Sequence, residues 1–69
     1  MIYIFDQWNR LIHVSHDSET CKDSVKEIAN VNVPQKEIEL IADNNGSIDV
    51  FGYGVLQFSY KNIHHSKNK

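Results

Sequence analysis

Four histidines in a chain of 69 residues are the first side chains that could do chemistry. A zinc site needs three or four ligands held at the corners of a tetrahedron. His13 and His16 lie close together at the end of a predicted strand, where their rings point in different directions, and His64 and His65 lie in the tail. We therefore expect surface or edge imidazoles and no metal site, with metal binding and pH sensing as the alternatives.

Residue types that serve as nucleophiles and bases also occur, but without the geometry that catalysis needs. The tripeptide Ser15-His16-Asp17 holds all three triad residue types, yet neighbouring side chains of an extended segment point to opposite sides. Cys21 lies on the apolar stripe of a predicted helix, where we expect a buried, unreactive thiol. The chain contains no phosphate-binding glycine loop, nucleophile elbow or CxxC pair. We therefore expect no catalytic residues, no enzymatic activity and no cofactor.

An aromatic segment that contains glycines could instead bind bases. Residues 52–58, with the sequence GYGVLQF, resemble the RNP1 motif of RNA-recognition and cold-shock domains, and residues 2–4 resemble the start of their RNP2 motif. In those families, aromatic side chains on neighbouring strands stack on the bases of single-stranded nucleic acid. The resemblance implies that Tyr3 and Tyr53 would be the stacking residues. Phe51 stands where RNP1 begins with a basic residue, so nucleic-acid binding is the alternative function.

Length and composition favour one small domain in a reducing compartment. The chain has a mass of 8.0 kDa, and its single cysteine excludes a disulfide within the chain. The first residues, MIYIFD, lack the basic start of a signal peptide, and no apolar run approaches the ~18 residues of a membrane span. These features predict a cytoplasmic protein without membrane segments. The abundance of Ile, Asn and Lys is typical of AT-rich genomes, such as those of low-GC bacteria and their phages.

Charge divides the chain into an acidic body and a basic tail. Residues 61–69 carry three lysines and no acid, whereas the rest of the chain holds four basic and nine acidic residues. An acidic body disfavours broad contact with nucleic-acid phosphates. We predict a single domain over residues 1–62 and a flexible basic tail over residues 63–69.

Residues 1–16 are predicted to form a β-hairpin with a three-residue loop. This loop places Asp6 opposite Arg10 and Ile4 opposite Ile12, and the β-branched aliphatic residues of both strands then share one face. A slip by one residue would scatter them over both faces. The hydrophobic pattern therefore favours this register.

Residues 18–30 are predicted to form a helix. Asp17 or Ser18 is the candidate N-cap, and the apolar residues that follow recur on a single stripe at helical spacing. Asn30 or Asn32 is the candidate end of the helix, since asparagine tolerates the left-handed conformation that often terminates helices.

Residues 36–61 are predicted to form further strands. Alternating apolar residues over 38–42 favour a strand, and a loop at 44–46 would pair it with the strand that follows. Residues 51–55 fit either a third hairpin, with its loop at 52–54, or one long strand with a glycine bulge. The sequence leaves these two possibilities open.

The predicted fold is a two-layer α+β domain of the order β-β-α-β-β(-β). One helix would pack on one face of an antiparallel sheet of four to five strands. A single helix cannot cover both faces, and large apolar residues remain on the second face, which normally marks an interface. The alternatives are a curled sheet, burial against a second copy or a protein partner, and base stacking. The predicted protein-interface residues are Tyr3, Phe5, Trp8, Leu11, His13, Ile41, Phe51 and Tyr53.

The sequence therefore predicts a small, non-enzymatic accessory or regulatory protein that acts through protein–protein contacts and self-associates, as a homodimer. Its aromatic sheet face would be the contact surface. The alternative is a module that binds single-stranded nucleic acid, with Tyr3, Phe51 and Tyr53 stacking on bases.

Overall fold

The computed structural model describes residues 1–64 of the chain. Its elements, in chain order, are β1 (Ile2–Phe5), β2 (Leu11–Ser15), α1 (Ser18–Ala29), α2 (Gln35–Asp43), β3 (Ser47–Val50) and β4 (Gly54–Ser59). The strands form one antiparallel sheet in the order β2-β1-β4-β3, and both helices contribute to the core on one of its faces. The α+β class and the antiparallel sheet are confirmed. The prediction of a single helix is wrong, and most of the predicted tail, residues 65–69, lies outside the described residues.

The β1–β2 hairpin contains a β-bulge that the hydrophobic pattern does not reveal. Next to the loop, Phe5 pairs with Leu11 in the predicted register, but Ile4 pairs with His13, so Ile12 is an extra residue on β2. The predicted pairing of Ile4 with Ile12 is therefore wrong. Because the bulge reverses the facing of the residues beyond it, His13 lies on the helix side of the sheet.

α1 begins and ends at the predicted capping residues. The Asp17 carboxylate accepts a hydrogen bond of 2.8 Å from the backbone N–H of Thr20, which satisfies one of the free donors at the start of the helix. Asn30 adopts the left-handed conformation, with φ of 55°, and its N–H donates to the carbonyl of Lys26. The apolar stripe of α1 faces the core, as predicted.

Residues 35–43 form α2, and the predicted strand and its hairpin loop at 44–46 are wrong. Ile38 and Ala42 are four positions apart, a spacing that places both on one face of a helix as well as on one face of a strand. Both are buried, whereas Leu40 between them is 63% exposed. A strand would have pointed all three side chains to the same side, so the burial pattern follows the helical period.

β3 and β4 form the hairpin that the sequence left as one of two possibilities. Val50 pairs with Gly54, so the loop comprises residues 51–53 instead of the predicted 52–54, and each strand pairing is displaced by two residues from the one that the predicted loop would give. An even shift leaves the facing of the side chains unchanged. The loop requires glycine at position 52, where φ is 82°, a region that other residues adopt at a cost.

A single hydrophobic core lies between the sheet and the two helices. β1 and β4 cross its centre, and each helix supplies two buried apolar side chains. Within residues 1–64, no helix is both long and apolar enough to cross a bilayer. The buried core residues are Ile2, Ile4, Cys21, Val25, Val33, Ile38, Ala42, Val50, Leu56 and Phe58.

Two leucines of different exposure test this core. Leu56 is fully buried, so Leu56→Ala should lower the free energy of unfolding by about 2–5 kcal/mol through lost apolar burial and a residual cavity. The matched change Leu40→Ala, at a position that is 63% exposed, should alter it by less than about 0.5 kcal/mol. Urea denaturation followed by circular dichroism measures both values, and equal losses would contradict the assigned core.

Candidate functional site

The face of the sheet turned away from the helices is covered in part by the chain itself. Phe5 follows the core residue Ile4 on β1 and therefore points to this outer face, yet it is fully buried. The ring of His64 packs edge-on against it, with the ring centroids 4.9 Å apart, and its Nε2 lies 3.0 Å from Oε1 of Gln57. The segment that follows β4 thus covers the middle of the outer face, a cover that the sequence did not reveal.

The residues predicted as one interface do not share one surface. Phe5 lies beneath His64. His13 points toward α1, where its Nε2 lies 2.9 Å from Oγ of Ser24, because of the bulge in β2. Ile41 is half-buried on α2, in a segment predicted as a strand. The position of His13 follows from the bulge, that of Ile41 from α2, and the burial of Phe5 from the segment after β4.

The exposed members of the predicted set gather at one end of the sheet. β1 ends where the antiparallel β4 begins, so the loop after β1 and the loop before β4 lie side by side. Trp8, Phe51 and Tyr53 project from these loops and are 66%, 104% and 45% exposed, and Leu11 follows at the start of β2. We call Trp8, Phe51, Tyr53 and the neighbouring Arg10 the aromatic end.

A cleft of about 240 Å³ lies between the two loops of the aromatic end. Ile12 reaches it because the bulge leaves this residue outside the core, and Val55 comes from the start of β4. Neither was among the predicted interface residues. The place of Ile12 depends on the bulge, whereas Val55, next to the core residue Leu56, faces away from the core in either hairpin register. The lining residues are Asp6, Gln7, Trp8, Arg10, Ile12, Tyr53, Gly54 and Val55.

The Asp6 carboxylate organises the first loop of the cleft. Its Oδ1 accepts hydrogen bonds of 2.9 Å from the backbone N–H groups of Trp8 and Arg10, and its Oδ2 accepts one of 2.8 Å from Nε of Arg10. The predicted opposition of these two charged residues is confirmed by the backbone bond from Asp6 N to Arg10 O. Burial acts to raise the pKa of Asp6, but the hydrogen bonds and the charge of Arg10 outweigh it, so its pKa lies below the ordinary value.

Gln57 ties this loop to β4 and to the segment that covers the outer face. Its Nε2 donates to the carbonyl oxygen of Asp6 at 2.8 Å and to Oδ1 of Asn9 at 2.6 Å. Since both amide hydrogens are donated, its Oε1 is left to accept from Nε2 of His64. One central side chain therefore joins the first loop, the sheet and the last described residue.

Arg10 lies over the indole of Trp8, with Cζ 5.0 Å from the ring centroid, a distance suited to a cation–π contact. Its Nε is the guanidinium nitrogen that bonds Asp6, and its side chain is 70% exposed. Within residues 1–64, the two terminal nitrogens of the guanidinium make no further hydrogen bond. Arg10 therefore combines a fixed position with unused donors.

Gly54 allows the two loops to approach each other. A Cβ atom at this position would lie 2.9 Å from Oε1 of Gln7, and the backbone φ is 136°. The conformation disfavours any residue with a Cβ atom, whereas the contact is with the far end of the exposed Gln7 side chain, which can move aside. The cleft therefore depends on a glycine where the second loop enters β4.

The protein matches no family model, no curated protein and no solved structure. Among the described residues, no group of three histidine, cysteine or acidic side chains is arranged to hold a metal ion. Burial raises the pKa of the Cys21 thiol, which lies in the core and away from the cleft. The arrangement offers aromatic surface, a fixed cation and aliphatic side chains, which serve binding.

The charge of Asp6 can be tested by removing it. Asp6→Asn should destabilise the protein at pH 7, because the amide nitrogen that replaces Oδ2 cannot accept the hydrogen bond from Nε of Arg10 and the negative charge is lost. A carboxyl whose pKa is lowered by folding stabilises the native state above its unfolded pKa of about 4, and this contribution disappears as the pH falls through the folded pKa. The gap between the two proteins should therefore narrow below pH 4.

Thermal unfolding between pH 7 and pH 2 measures this gap. The control is Asp23→Asn, at an exposed carboxylate of α1, which should leave the melting temperature nearly unchanged throughout. A gap between wild type and Asp6→Asn that stays constant down to pH 2 would show that the charge of Asp6 is not responsible.

Proposed function

We propose that this protein is a small, non-enzymatic accessory factor that binds another protein through its aromatic end. The observation that supports this function is the clustering of Trp8, Tyr53 and Arg10 around one cleft, and the exposed Phe51 belongs to the same loop as Tyr53. Tryptophan, tyrosine and arginine are the residues that most often dominate binding energy at protein interfaces. Contiguous exposed aromatic surface on a chain this small is otherwise a liability for solubility.

Self-association through β2 is the second part of this proposal. β2 is an edge strand, and residues 11–15 include no charged side chain of the kind that usually blocks pairing between edges. Leu11, Ile12 and Val14 are exposed along it. The other edge strand, β3, carries Asp49 and is shorter, so β2 is the edge better suited to a second copy.

Protein is a better partner than nucleic acid for the aromatic surface. Tyr3 is half-buried and pairs with Ser59, which lies six positions along the chain from Tyr53. At the rise of a strand, six positions separate the two tyrosines by about 20 Å, so they do not form one stacking platform with Phe51. The acidic body adds repulsion of a polyanion such as nucleic acid, whose many phosphates would extend over it, whereas a single carboxylate need meet only Arg10. A reducing compartment such as the cytoplasm suits the buried thiol of Cys21.

Partner binding is tested by capture with affinity-tagged protein from a lysate of the organism that encodes the chain. Trp8→Ser/Tyr53→Ser should lose the partner, because it removes two exposed aromatic rings without opening the core. Leu40→Ser is the matched control, since this exposed residue lies on α2, and it should retain the partner. A partner that binds the double variant as well as wild type would overturn the proposal for the aromatic end.

Self-association is tested by sedimentation equilibrium over a wide range of protein concentration. Wild type should form a dimer, and Val14→Lys should return it to a monomer by placing a charge on the exposed edge. Leu40→Lys adds the same charge on α2 and should leave the dimer intact. A strictly monomeric wild type at millimolar concentration would exclude this part of the proposal.

A further inference from the structure

The acceptors that Asp6 contributes to the cleft are already used. Both oxygens of the Asp6 carboxylate bond the first loop, one accepting from the backbone N–H groups of Trp8 and Arg10 and the other from Nε of Arg10. The carbonyl oxygen of Asp6 accepts from Asn9 N and from Nε2 of Gln57. The side-chain acceptors that remain are therefore neutral ones, the amide oxygen of Gln7 and the hydroxyl of Tyr53.

The donors that line the cleft are unused. The terminal nitrogens of Arg10, the indole N–H of Trp8 and the hydroxyl of Tyr53 make no hydrogen bond to a residue within 1–64. The guanidinium is held by Asp6 through Nε alone, which leaves its terminal nitrogens to donate to a planar anion. The polar chemistry of the cleft therefore matches a carboxylate.

The carboxylate that fits belongs to a side chain more readily than to a chain terminus. Sites that capture a C-terminal carboxylate use a nest of free backbone N–H groups. In the first loop, the N–H groups of Trp8, Asn9 and Arg10 are all donated to Asp6. The guanidinium is then the principal anion donor, and a guanidinium pairs well with Asp or Glu.

The remaining wall of the cleft is apolar. Ile12 and Val55 supply aliphatic surface, and the rings of Trp8 and Tyr53 flank the opening. A volume of about 240 Å³ is small beside a typical ligand pocket and suits one or two side chains. We propose that this cleft binds a segment of a partner protein in which an Asp or Glu adjoins an aromatic or branched aliphatic residue.

This inference rests on the proposed function and specifies the partner's segment. The protein contains one tryptophan, and it lies in the cleft, so its fluorescence reports binding directly. The probe is the blocked peptide acetyl-Gly-Ser-Phe-Asp-Ser-Gly-amide. Two comparison peptides carry Asn in place of the Asp or Ala in place of the Phe. We expect each comparison peptide to bind about tenfold more weakly, since each lacks one of the two groups that the cleft accommodates.

Variants of the protein separate charge recognition from general binding. Arg10→Gln should bind the Asp and Asn peptides with equal affinity, whereas Lys26→Gln, which removes a charge from exposed α1 surface, should keep the tenfold preference. Circular dichroism is used to check that Arg10→Gln is folded. The comparison of the Asp and Asn peptides on wild type does not depend on any variant. The preference on wild type should shrink between 50 and 500 mM salt, because the contact is ionic.

Two results would overturn the inference. One is equal affinity of wild type for the Asp and Asn peptides, and the other is no fluorescence change with the Asp peptide up to 5 mM. If either result is found and Trp8→Ser/Tyr53→Ser still loses the captured partner, the proposed function is retained. Only the hypothesis that the cleft binds an acidic segment is then excluded. A partner that is still captured by that double variant would instead remove the function itself.

Discussion

The hydrogen bonds of the Asp6 carboxylate are the interaction on which the outer side of this fold depends. Asp6 is 7% exposed, and its two oxygens hold the backbone at Trp8 and Arg10 together with the guanidinium of Arg10. Its carbonyl is held in turn by Gln57, whose other amide atom bonds His64. The loop that presents an exposed indole is thus fixed to the central strands, and an exposed ring held in place loses less entropy on binding than a mobile one.

The bulge at Ile12 links this loop to the core. Phe5 pairs with Leu11, as the three-residue loop requires, while Ile4, one residue earlier, pairs with His13. His13 then reaches Ser24 on α1, and Ile12 is left to line the cleft. A hairpin in the regular predicted register would have placed Ile12 on the core face, and the cleft would have lost an aliphatic wall.

The sequence predicted the local features well where one signal acted alone. The capping pair Asp17 and Asn30 bounds α1 because an acidic N-cap and a left-handed asparagine each satisfy specific backbone groups. α2 was missed because Ile38 and Ala42 fit both periods, and the prediction followed the alternation of apolar residues although the Gln, Lys, Glu, Leu and Ala of this segment favour a helix. The candidate site was predicted in part, through Trp8, Phe51 and Tyr53. Turns do not need aromatic residues for their backbone conformation, so aromatic residues in turns indicate another role.

Buried apolar residues form the core and exposed aromatic residues lie in the loops, and this difference favours binding as the role of the aromatic end. Phe51 is fully exposed, so its ring adds nothing to the apolar area that folding buries. The hydrophobic effect that stabilises Leu56 in the core disfavours the exposure of this ring to water. The turn that follows Phe51 is made by Gly52, at a φ of 82°. A phenyl ring held in solvent gains its apolar burial only when another surface covers it, and the cleft beside it supplies the polar contacts that would orient such a surface.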